Sequence, residues 1–371
     1  MTIGIDGNEA NVANKVGISE YAYELLLEFN KLASKRKDLK FSIYLKDFPR
    51  GDMPSTSLFW QYKVVGPKKF WTRVGLPLAL FSKNDKPDVF FSPTHYGPKF
   101  SPMQTAISIM DLSFLHFPSL FIKKDLYQLT NWTKASALKA KKIFTISDFS
   151  KSDIIKSYKV SEGKVVVTHL GIKPTLGTKV LNMTDLNKKF GIKGKYILFV
   201  GTLQPRKNIT KLIEAFSKLK QNDISLVIVG KKGWLYDEIL AAPTKYDVKE
   251  RTKFLEFVSN EDLPSLYKNA LCFVLPSLYE GFGLPVLEAM KFGCPVITSN
   301  VSSLPEAGGD AALYFDPENV DDISKKIEEI ISDEKLRQDM IKKGYNQIKK
   351  FSWEKTAKET LSVLEEMGKN S

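Results

Sequence analysis

The chain has 371 residues, of which 43% are hydrophobic and 26% are charged. This length predicts two domains, and this composition is typical of a globular protein, which excludes a disordered, collagen-like or coiled-coil chain. Two cysteines and three histidines exclude a disulfide framework and a metal site built from several cysteines. The N-terminus lacks the features of a signal peptide, and no apolar run approaches the roughly 20 residues of a membrane span. We therefore expect a cytoplasmic protein that would meet a membrane only from the side.

The positive charge is unevenly distributed along the chain. Residues 1–179 hold 27 Lys and Arg against 15 Asp and Glu, whereas residues 180–371 hold 28 against 27. A one-sided basic field attracts anionic lipid, anionic glycan or nucleic acid. The alternative is a set of solvated lysines that only keeps the protein soluble.

Short apolar runs recur along both halves of the sequence. They are rich in β-branched residues and do not alternate with polar ones, which predicts strands that are buried on both faces. The runs are Ile3–Ile5, Phe41–Leu45, Val89–Phe91, Ala106–Ile109, Ile143–Ile146 and Val165–Val167 in the first half, and Tyr196–Val200, Leu226–Val229, Cys272–Leu275 and Val296–Thr298 in the second.

Helical patterns lie between these runs. Between Ile209 and Leu219, apolar residues recur at i, i+3, i+4 and i+7, which is one face of a helix. We expect Asn208 to cap this helix and Glu214 to pair with Lys218 one turn later.

The alternation of strand and helix occurs twice, which predicts an α/β fold with parallel sheets. Two Rossmann-like domains, 1–173 and 174–353, would meet at the Gly- and Pro-containing stretch Leu170–Gly177 and face a central cleft. The amphipathic tail predicts a C-terminal helix, 354–371, that packs back on the first domain.

The first candidate site is the loop that follows the strand ending at Val200. It contains Arg206 and Lys207 directly before a predicted helix. Orphan amide donors, the positive end of the helix dipole and fixed cations together favour phosphate binding. The alternative is a basic pair on the surface of an ordinary loop.

The second candidate site follows the strand Cys272–Leu275. Glu280 and Glu288 bracket a turn in which Gly283 allows a ligand to approach the backbone, and a helix is predicted to start near Pro285. Glu288 would then lie in the first turn of that helix. It could complement the helix dipole or accept hydrogen bonds from sugar hydroxyls. We expect this loop to face the Arg206–Lys207 loop across adjacent strands.

These two loops carry a resemblance to a known family. The stretch Gly201–Asn208, the pair Glu280 and Glu288 with seven residues between them, and the stretch Ser299–Ala312 resemble the retaining glycosyltransferases of family 4, among the group 1 glycosyltransferases, which have the GT-B fold. Three segments of the first half agree more loosely, namely Gly17–Tyr21, Met110–Leu115 and Thr145–Ser150.

The resemblance implies that the second domain binds a nucleotide-diphosphate sugar. Arg206 and Lys207 would hold the diphosphate and neutralise the leaving group, Glu280 would contact sugar hydroxyls, and Glu288 would bind the ribose. The other implied donor-binding residues are Gly201, Thr202, Val258 in the base-binding loop, Phe282, Gly283 and Leu284 through their backbone amides, and Gly17 in the first domain.

The resemblance also implies an acceptor side in the first domain, lined by Asp111 and Ser147, with Asp111 as a catalytic residue beside Arg206, Lys207 and Glu280. We place His95 on the same acceptor side. The family often carries His directly before the Asp at this position, where this chain has Met110. His95 and His116 are possible replacements, or else packing residues. No Asp-x-Asp motif is present, so we expect no metal and no cofactor, with the basic pair replacing a divalent cation.

Between Phe59 and Gly75, aromatic residues alternate with Lys68, Lys69 and Arg73. Such a mixture suits an anionic membrane surface or a polyprenyl-diphosphate-linked acceptor. The alternative is a core element with solvated lysines, and nucleic acid is disfavoured.

The sequence thus predicts a retaining, metal-independent hexosyltransferase of the mannose or glucose type. The donor would be a GDP- or UDP-linked sugar, and the acceptor a glycan or lipid-linked glycan in surface polysaccharide synthesis. The alternatives are a nucleotide-sugar epimerase or hydrolase of the same fold, and a binding subunit without turnover. An NAD dehydrogenase is disfavoured because neither half has G-x-G-x-x-G after its first strand.

Overall fold

The computed structural model describes residues 1–36, 38–82, 86–172, 177 and 180–370. The chain divides into two compact units, Met1–Gly171 with Ser352–Ser371, and Ile172–Phe351. The boundary that we predicted between residues 173 and 174, and the last residue of the predicted C-terminal helix, lie outside the described residues.

The first unit contains a parallel sheet of seven strands within the described ranges. They are β1 (Thr2–Asp6), β2 (Lys40–Leu45), β3 (Trp60–Val64), β4 (Val89–Ser92), β5 (Gln104–Ser108), β6 (Lys142–Thr145) and β7 (Val165–Val167). Their order across the sheet is β3-β2-β1-β4-β5-β6-β7. The helices that connect them are α1 (Ile18–Ala33), α2 (Gly75–Leu80), α3 (Ser113–His116), α4 (Lys123–Lys139) and α5 (Asp148–Tyr158).

The second unit has a parallel sheet of six strands, counted over its described residues. They are β8 (Lys195–Val200), β9 (Ile224–Val229), β10 (Thr252–Leu255), β11 (Cys272–Leu275), β12 (Val296–Ser299) and β13 (Ala312–Phe315), in the order β10-β9-β8-β11-β12-β13. Its helices are α6 (Met183–Phe190), α7 (Ile209–Ser217), α8 (Asp237–Lys245), α9 (Leu263–Asn269), α10 (Leu284–Lys291), α11 (Leu304–Gly308), α12 (Val320–Ser332) and α13 (Glu334–Gln347).

The chain ends in the helix α14 (Trp353–Lys369), which belongs to the first unit and contacts α1. The Trp353 ring lies 6.3 Å from the ring of Tyr21, centroid to centroid. One turn from the end of the helix, Glu365 Oε1 accepts a hydrogen bond of 2.6 Å from Arg36 Nη1. The apolar face of the tail is therefore buried within this unit.

The α/β class and the two Rossmann-like parallel sheets that we predicted from the sequence are confirmed. Each of the ten predicted apolar runs overlaps a strand. Three further strands, β3, β10 and β13, lie at sheet edges and are only partly buried. A search for runs that are buried on both faces misses such strands, because an edge strand has polar residues on its solvent side.

Two local predictions near α7 are wrong. Asn208 precedes the helix, but its side chain makes no cap and instead donates a hydrogen bond of 2.8 Å to the carbonyl of Pro317. Lys218 lies just beyond the helix and pairs with Asp321, with 2.6 Å between Nζ and Oδ1. Glu214 accepts a hydrogen bond from Tyr246. Contacts from distant parts of the chain thus replace the local ones.

None of the helices in the described ranges is both long enough and apolar enough to cross a bilayer.

Candidate active site

The Arg206–Lys207 loop and the Glu280 loop follow neighbouring strands of the second sheet, because β8 pairs with β11. The connection order reverses between these two strands, and in open parallel sheets ligands bind at that reversal, beyond the carboxyl ends of the strands. The backbone amide of Leu278 donates a hydrogen bond of 2.9 Å to the carbonyl of Arg206. The two loops are thus joined directly, as the sequence predicted from their positions.

A buried cluster of charged side chains lies where the two loops meet. Lys207 Nζ donates to Glu280 Oε1 at 2.5 Å, and Arg206 Nη1 lies 3.3 Å from Glu280 Oε2. Ser277 Oγ donates a further hydrogen bond of 2.6 Å to Oε1. Lys207 is 9% exposed and Glu280 is 8% exposed. The ion pair is therefore largely withdrawn from solvent but remains at an edge where a ligand could reach it.

The electrostatics of this cluster favour an ionised carboxylate. Burial alone would raise the pKa of Glu280, but Lys207, Arg206 and the hydrogen bond from Ser277 outweigh burial and lower the pKa to about 2. At neutral pH the site therefore carries two cations and one anion. The remaining positive charge suits the doubly charged diphosphate of a nucleotide.

Hydrogen bonds with the two serines directly before α11 hold the backbone of Glu280. Its amide donates to Ser302 Oγ at 3.0 Å, and its carbonyl accepts a bond of 2.8 Å from Ser303 Oγ. Arg206 Nη1 also donates to the carbonyl of Tyr279. We did not predict the serines. Ser277 stands three residues before Glu280 in the predicted loop, and Ser302 and Ser303 lie in the stretch Ser299–Ala312 that carries the resemblance, which assigned them no role.

The turn after Glu280 presents backbone rather than side chains. Gly283 has a φ of 109° at the start of α10, and a Cβ there would lie 2.9 Å from Leu304 Cδ2. Both constraints require glycine. The side chain of Phe282 is buried and packs edge-on against Phe351, with ring centroids 5.3 Å apart. Phe282 and the partly buried Leu284 could thus contribute amides, as the resemblance implied.

Glu288 is not in the first turn of α10, contrary to our prediction, because the helix begins at Leu284 and Glu288 is its fifth residue. Its Oε2 accepts a hydrogen bond of 3.1 Å from the buried hydroxyl of Tyr267. Burial and the nearby Glu288 carboxylate both raise the pKa of Tyr267. This carboxylate therefore has a structural partner, and its contact with a ribose remains a prediction.

Three other implied donor residues lie in loops of the same unit. Gly201 and Thr202 directly follow β8, and Thr202 is exposed. Val258 is half-buried in the loop between β10 and α9. Its neighbour Phe257 is exposed, and Lys231 Nζ lies 5.3 Å from the Phe257 ring. That loop follows an edge strand two positions from β8 in the sheet.

In the first unit, His95 and Asp111 follow the adjacent strands β4 and β5. Burial lowers the pKa of His95, and the charge of Asp111 acts in the opposite direction. Asp111 Oδ1 also accepts a hydrogen bond of 2.8 Å from the amide of Ser113. The Met110 side chain is nearly buried. Of the two histidines that we considered as replacements, the fold thus brings His95 to Asp111.

Two further residues of the first unit have clear structural contacts. His116 Nε2 lies at a hydrogen-bond distance of 2.8 Å from Asp153 Oδ2. Ser147 is fully buried, and its hydroxyl accepts a hydrogen bond of 3.0 Å from the amide of Ser150 at the start of α5. Ser147 thus caps a helix, and its acceptor role remains a prediction.

Gly17 precedes α1 with φ 56° and ψ −118°, a conformation that favours glycine. A Cβ at this position would meet no atom within 4 Å. The requirement for glycine is therefore one of backbone conformation, and the position leaves space for a ligand.

A polar cavity that we did not predict lies where the first sheet reverses its connections, between β1 and β4. Its volume is about 290 Å³. Asp6, the last residue of β1, accepts hydrogen bonds from Trp71 Nε1 at 2.9 Å and Asn8 Nδ2 at 2.6 Å. Burial raises the pKa of Asp6, although these bonds oppose the rise. Glu9, Tyr96, Gln128 and Trp132 also line the cavity.

The segment that we predicted as an aromatic and basic surface is only partly internal, because Lys68, Phe70 and Arg73 are exposed whereas its tryptophans are buried. Trp60 is fully buried in β3, and Trp71 is nearly buried against Asp6. Lys68 pairs with Asp47, and the Arg73 guanidinium stacks 4.1 Å from the ring centre of Trp132. The tryptophans therefore do not form one exposed surface with the cations.

Comparison with known sequences assigns the chain to a family. The family "Glycosyl transferases group 1" matches residues 182–347, which lie within the second unit. The O-antigen chain mannosyltransferase B of Escherichia coli is 35% identical over 279 residues, which cover 72% of this chain and 73% of that protein. The chain belongs to the group 1 glycosyl transferases.

Another relative of this glycosyl transferase is longer. The serotype-specific mannosyltransferase WbdA of Escherichia coli is 32% identical over 231 residues. The match covers 59% of the present chain but only 28% of WbdA. The similarity thus extends over a limited part of that larger protein.

Solved structures show the same fold. HepE of Anabaena, crystallised in complex with UDP-glucose, superposes on the present chain with a TM-score of 0.73 at 16% sequence identity. The superposition covers 98% of the present chain and 100% of the HepE chain. At this identity the comparison shows the fold alone.

Proposed function

We propose that the second unit binds a nucleotide-diphosphate sugar at the buried cluster of Arg206, Lys207 and Glu280. The observation that carries this proposal is the pairing of both cations with one carboxylate where the sheet reverses. The two cations would hold the diphosphate, and the ionised Glu280 would accept hydrogen bonds from sugar hydroxyls. Glu288, Val258 and the amides after Glu280 complete the proposed donor site of this unit.

The proposed reaction transfers a hexose, of the mannose or glucose type, with retention of anomeric configuration. As the bond to the donor phosphate breaks, negative charge grows on the leaving diphosphate, next to the Lys207 ammonium and the Arg206 guanidinium. Fixed cations in a site with little water stabilise such charge strongly. We therefore propose that no divalent metal is needed and that the proton of the acceptor hydroxyl leaves with the departing diphosphate.

The relatives support a role in the synthesis of a surface polysaccharide, since two of them are named as mannosyltransferases and one of these acts on the O-antigen chain. HepE was crystallised with a UDP-linked sugar, so both GDP- and UDP-linked donors need testing. We propose a glycan or a polyprenyl-diphosphate-linked glycan as the acceptor.

The polar cavity of the first unit is the proposed acceptor site. Carboxylates and amides that can bind hydroxyls line it together with the aromatic residues Trp132 and Tyr96. His95 and Asp111 follow β4 and β5, the first and second strands beyond β1 in the sheet, at the same edge. A neutral His95 would be a hydrogen-bonding group beside the Asp111 carboxylate.

The release of nucleoside diphosphate from a panel of GDP- and UDP-sugars tests this function. The assay is run in EDTA, with and without a bacterial lipid extract as acceptor. We expect release from one donor, stimulated by the extract. Release that does not depend on the extract would indicate a hydrolase, and release that needs an added divalent cation would contradict metal independence.

Replacement of Trp132 tests the acceptor cavity. In Trp132→Ala we expect the extract concentration for half-maximal release to rise about five- to tenfold, because an aromatic contact of about 1 kcal/mol is lost. The rate at saturating extract should change little. Phe48→Ala removes an exposed aromatic ring elsewhere in the same unit and is the matched control. If both variants need the same extract concentration for half-maximal release, this cavity is excluded as the acceptor site.

A further inference from the structure

A second, basic cavity lies at the opposite edge of the first sheet. It is bordered by the residues that begin β5 and β6, Gln104 and Lys142, whereas the proposed acceptor site lies beyond the carboxyl ends of the strands. Its volume is about 870 Å³. This cavity, which we call the amino-edge pocket, has no part in the function proposed above.

The charge of the amino-edge pocket is of one sign. Five lysines line it, and none of its described lining residues is acidic; the lysines are Lys99, Lys139, Lys141, Lys142 and Lys164. The nearest carboxylate along the chain, Glu162, lies 3.4 Å from Lys151. Within the described part of the chain, the five ammonium groups have no carboxylate at ion-pair distance. A pocket lined in this way attracts anions.

Three of the lysines are fixed by the backbone of the pocket itself. Lys139 Nζ donates to the carbonyl of Lys99 at 3.0 Å, Lys142 Nζ to Gly163 at 2.8 Å, and Lys164 Nζ to Leu138 at 2.8 Å. Burial lowers the pKa of Lys164, because its ammonium has lost water without gaining a counter-ion. The fold thus already holds these ammonium groups in place, so they lose less conformational entropy when an anion binds. This favours binding of an anion.

Apolar side chains border the same lysines. Phe100 and Leu138 line the pocket and are 55% and 52% exposed. The ammonium groups of Lys99 and Lys139 lie 5.2 and 5.1 Å from the Phe100 ring centre. A free phosphate ion would make no use of exposed apolar groups, whereas a bilayer surface offers phosphate and acyl chains together.

We propose that the amino-edge pocket binds the phosphate headgroups of an anionic lipid bilayer, with Phe100 and Leu138 entering the interface. This site differs from the segment between Phe59 and Gly75, whose tryptophans are internal. The proposal is independent of the sugar chemistry, because it concerns attachment and not transfer.

The test measures binding of the full-length chain to sedimenting vesicles. One set contains phosphatidylglycerol and phosphatidylcholine in equal parts, and the other contains phosphatidylcholine alone. Lys99→Gln/Lys141→Gln is the main variant, because neither side chain makes a hydrogen bond among the described residues, so the fold should persist. We expect roughly thirtyfold weaker binding to the anionic vesicles, from about 1 kcal/mol for each lysine near the surface.

Three controls decide the outcome. Lys124→Gln/Lys134→Gln removes the same charge from exposed positions of α4 that do not line the pocket, and should bind almost as wild type does. Phe100→Ala keeps every charge and should also weaken binding. Calorimetry with inorganic pyrophosphate tests for a free anion.

If Lys99→Gln/Lys141→Gln and Lys124→Gln/Lys134→Gln weaken vesicle binding equally, the effect is one of net charge alone and the proposal is overturned. Absence of wild-type binding to anionic vesicles would also overturn it, whether or not pyrophosphate binds. None of these measurements needs a donor sugar, so failure of the transferase assay would leave the result unaffected.

Discussion

Lys207→Ala is expected to lower turnover about a hundredfold, and by no less than tenfold. Loss of one preorganised donor at a developing anion costs about 10²–10³ in rate in comparable sites. Here Lys207 is the cation with the shortest contact to Glu280, and it lies in the proposed path of the leaving diphosphate. Nucleoside-diphosphate release at saturating donor and extract measures the change.

The same substitution should destabilise the fold, so the two effects must be separated. Removal of one partner of a buried ion pair costs about 3–5 kcal/mol, because the other charge is left without compensation. Turnover is therefore measured well below the melting temperature, with and without a stabilising osmolyte. If the osmolyte restores both folding and turnover, the role of Lys207 is structural.

An exposed ion pair in the same unit provides the matched control. Lys211 Nζ lies 3.6 Å from Glu318 Oε2 just after the candidate loop, and the Glu318 side chain is 75% exposed. Lys211→Ala removes the same type of charge and should change stability by less than about 1 kcal/mol. Turnover in this variant should be close to that of wild type. Unchanged turnover in Lys207→Ala would falsify the proposed contact with the diphosphate.

Glu280→Gln is expected to change the acid stability of the protein. Wild-type Glu280 has its pKa lowered from 4.5 to about 2. The carboxylate therefore contributes stability that is fully present above pH 4.5 and is lost as the pH falls towards 2. This shift of the pKa corresponds to about 3 kcal/mol in the free energy of unfolding. In Glu280→Gln this pH-dependent part of the free energy of unfolding should be absent.

At neutral pH the same variant should also be less stable, by about 3–5 kcal/mol, because the buried Lys207 and the partly buried Arg206 lose their counter-charge. Denaturant unfolding between pH 2 and pH 7 measures both effects. The control is Glu318→Gln, whose exposed pair should contribute little at any pH. An unfolding profile of Glu280→Gln parallel to that of wild type would show that Glu280 is not the group responsible.

The agreement between sequence and structure is best where the local pattern and the buried environment coincide. Strands such as Tyr196–Val200 are apolar on both faces because helices cover both sides of a parallel sheet. The expected meeting of the Arg206–Lys207 loop with the Glu280 loop follows from the same topology, since loops after adjacent parallel strands lie at one edge. Both predictions needed only the order of the elements.

The predictions that depend on side-chain partners were less successful. Asn208 occupies a position that suits a cap, but the carbonyl of Pro317 lies within its reach only in the folded unit. Asp6 ends an ordinary strand and carries no motif, and its buried bond to Trp71 joins residues that are 65 positions apart. Neither contact leaves a periodic or local signal in the sequence.

The sequence by itself determined the fold class, the family and the loops that carry the charged residues, because each of these depends on patterns of polarity and short spacings. The tertiary structure alone decided which charged side chains form ion pairs and which do not. Lys207 and Glu280 form a buried pair. The lysines of the amino-edge pocket come from segments up to 65 residues apart and share a cavity without an acidic lining residue among those described. The physical reason is that Coulomb energy and desolvation depend on distance in space and on burial, which the order of residues does not specify.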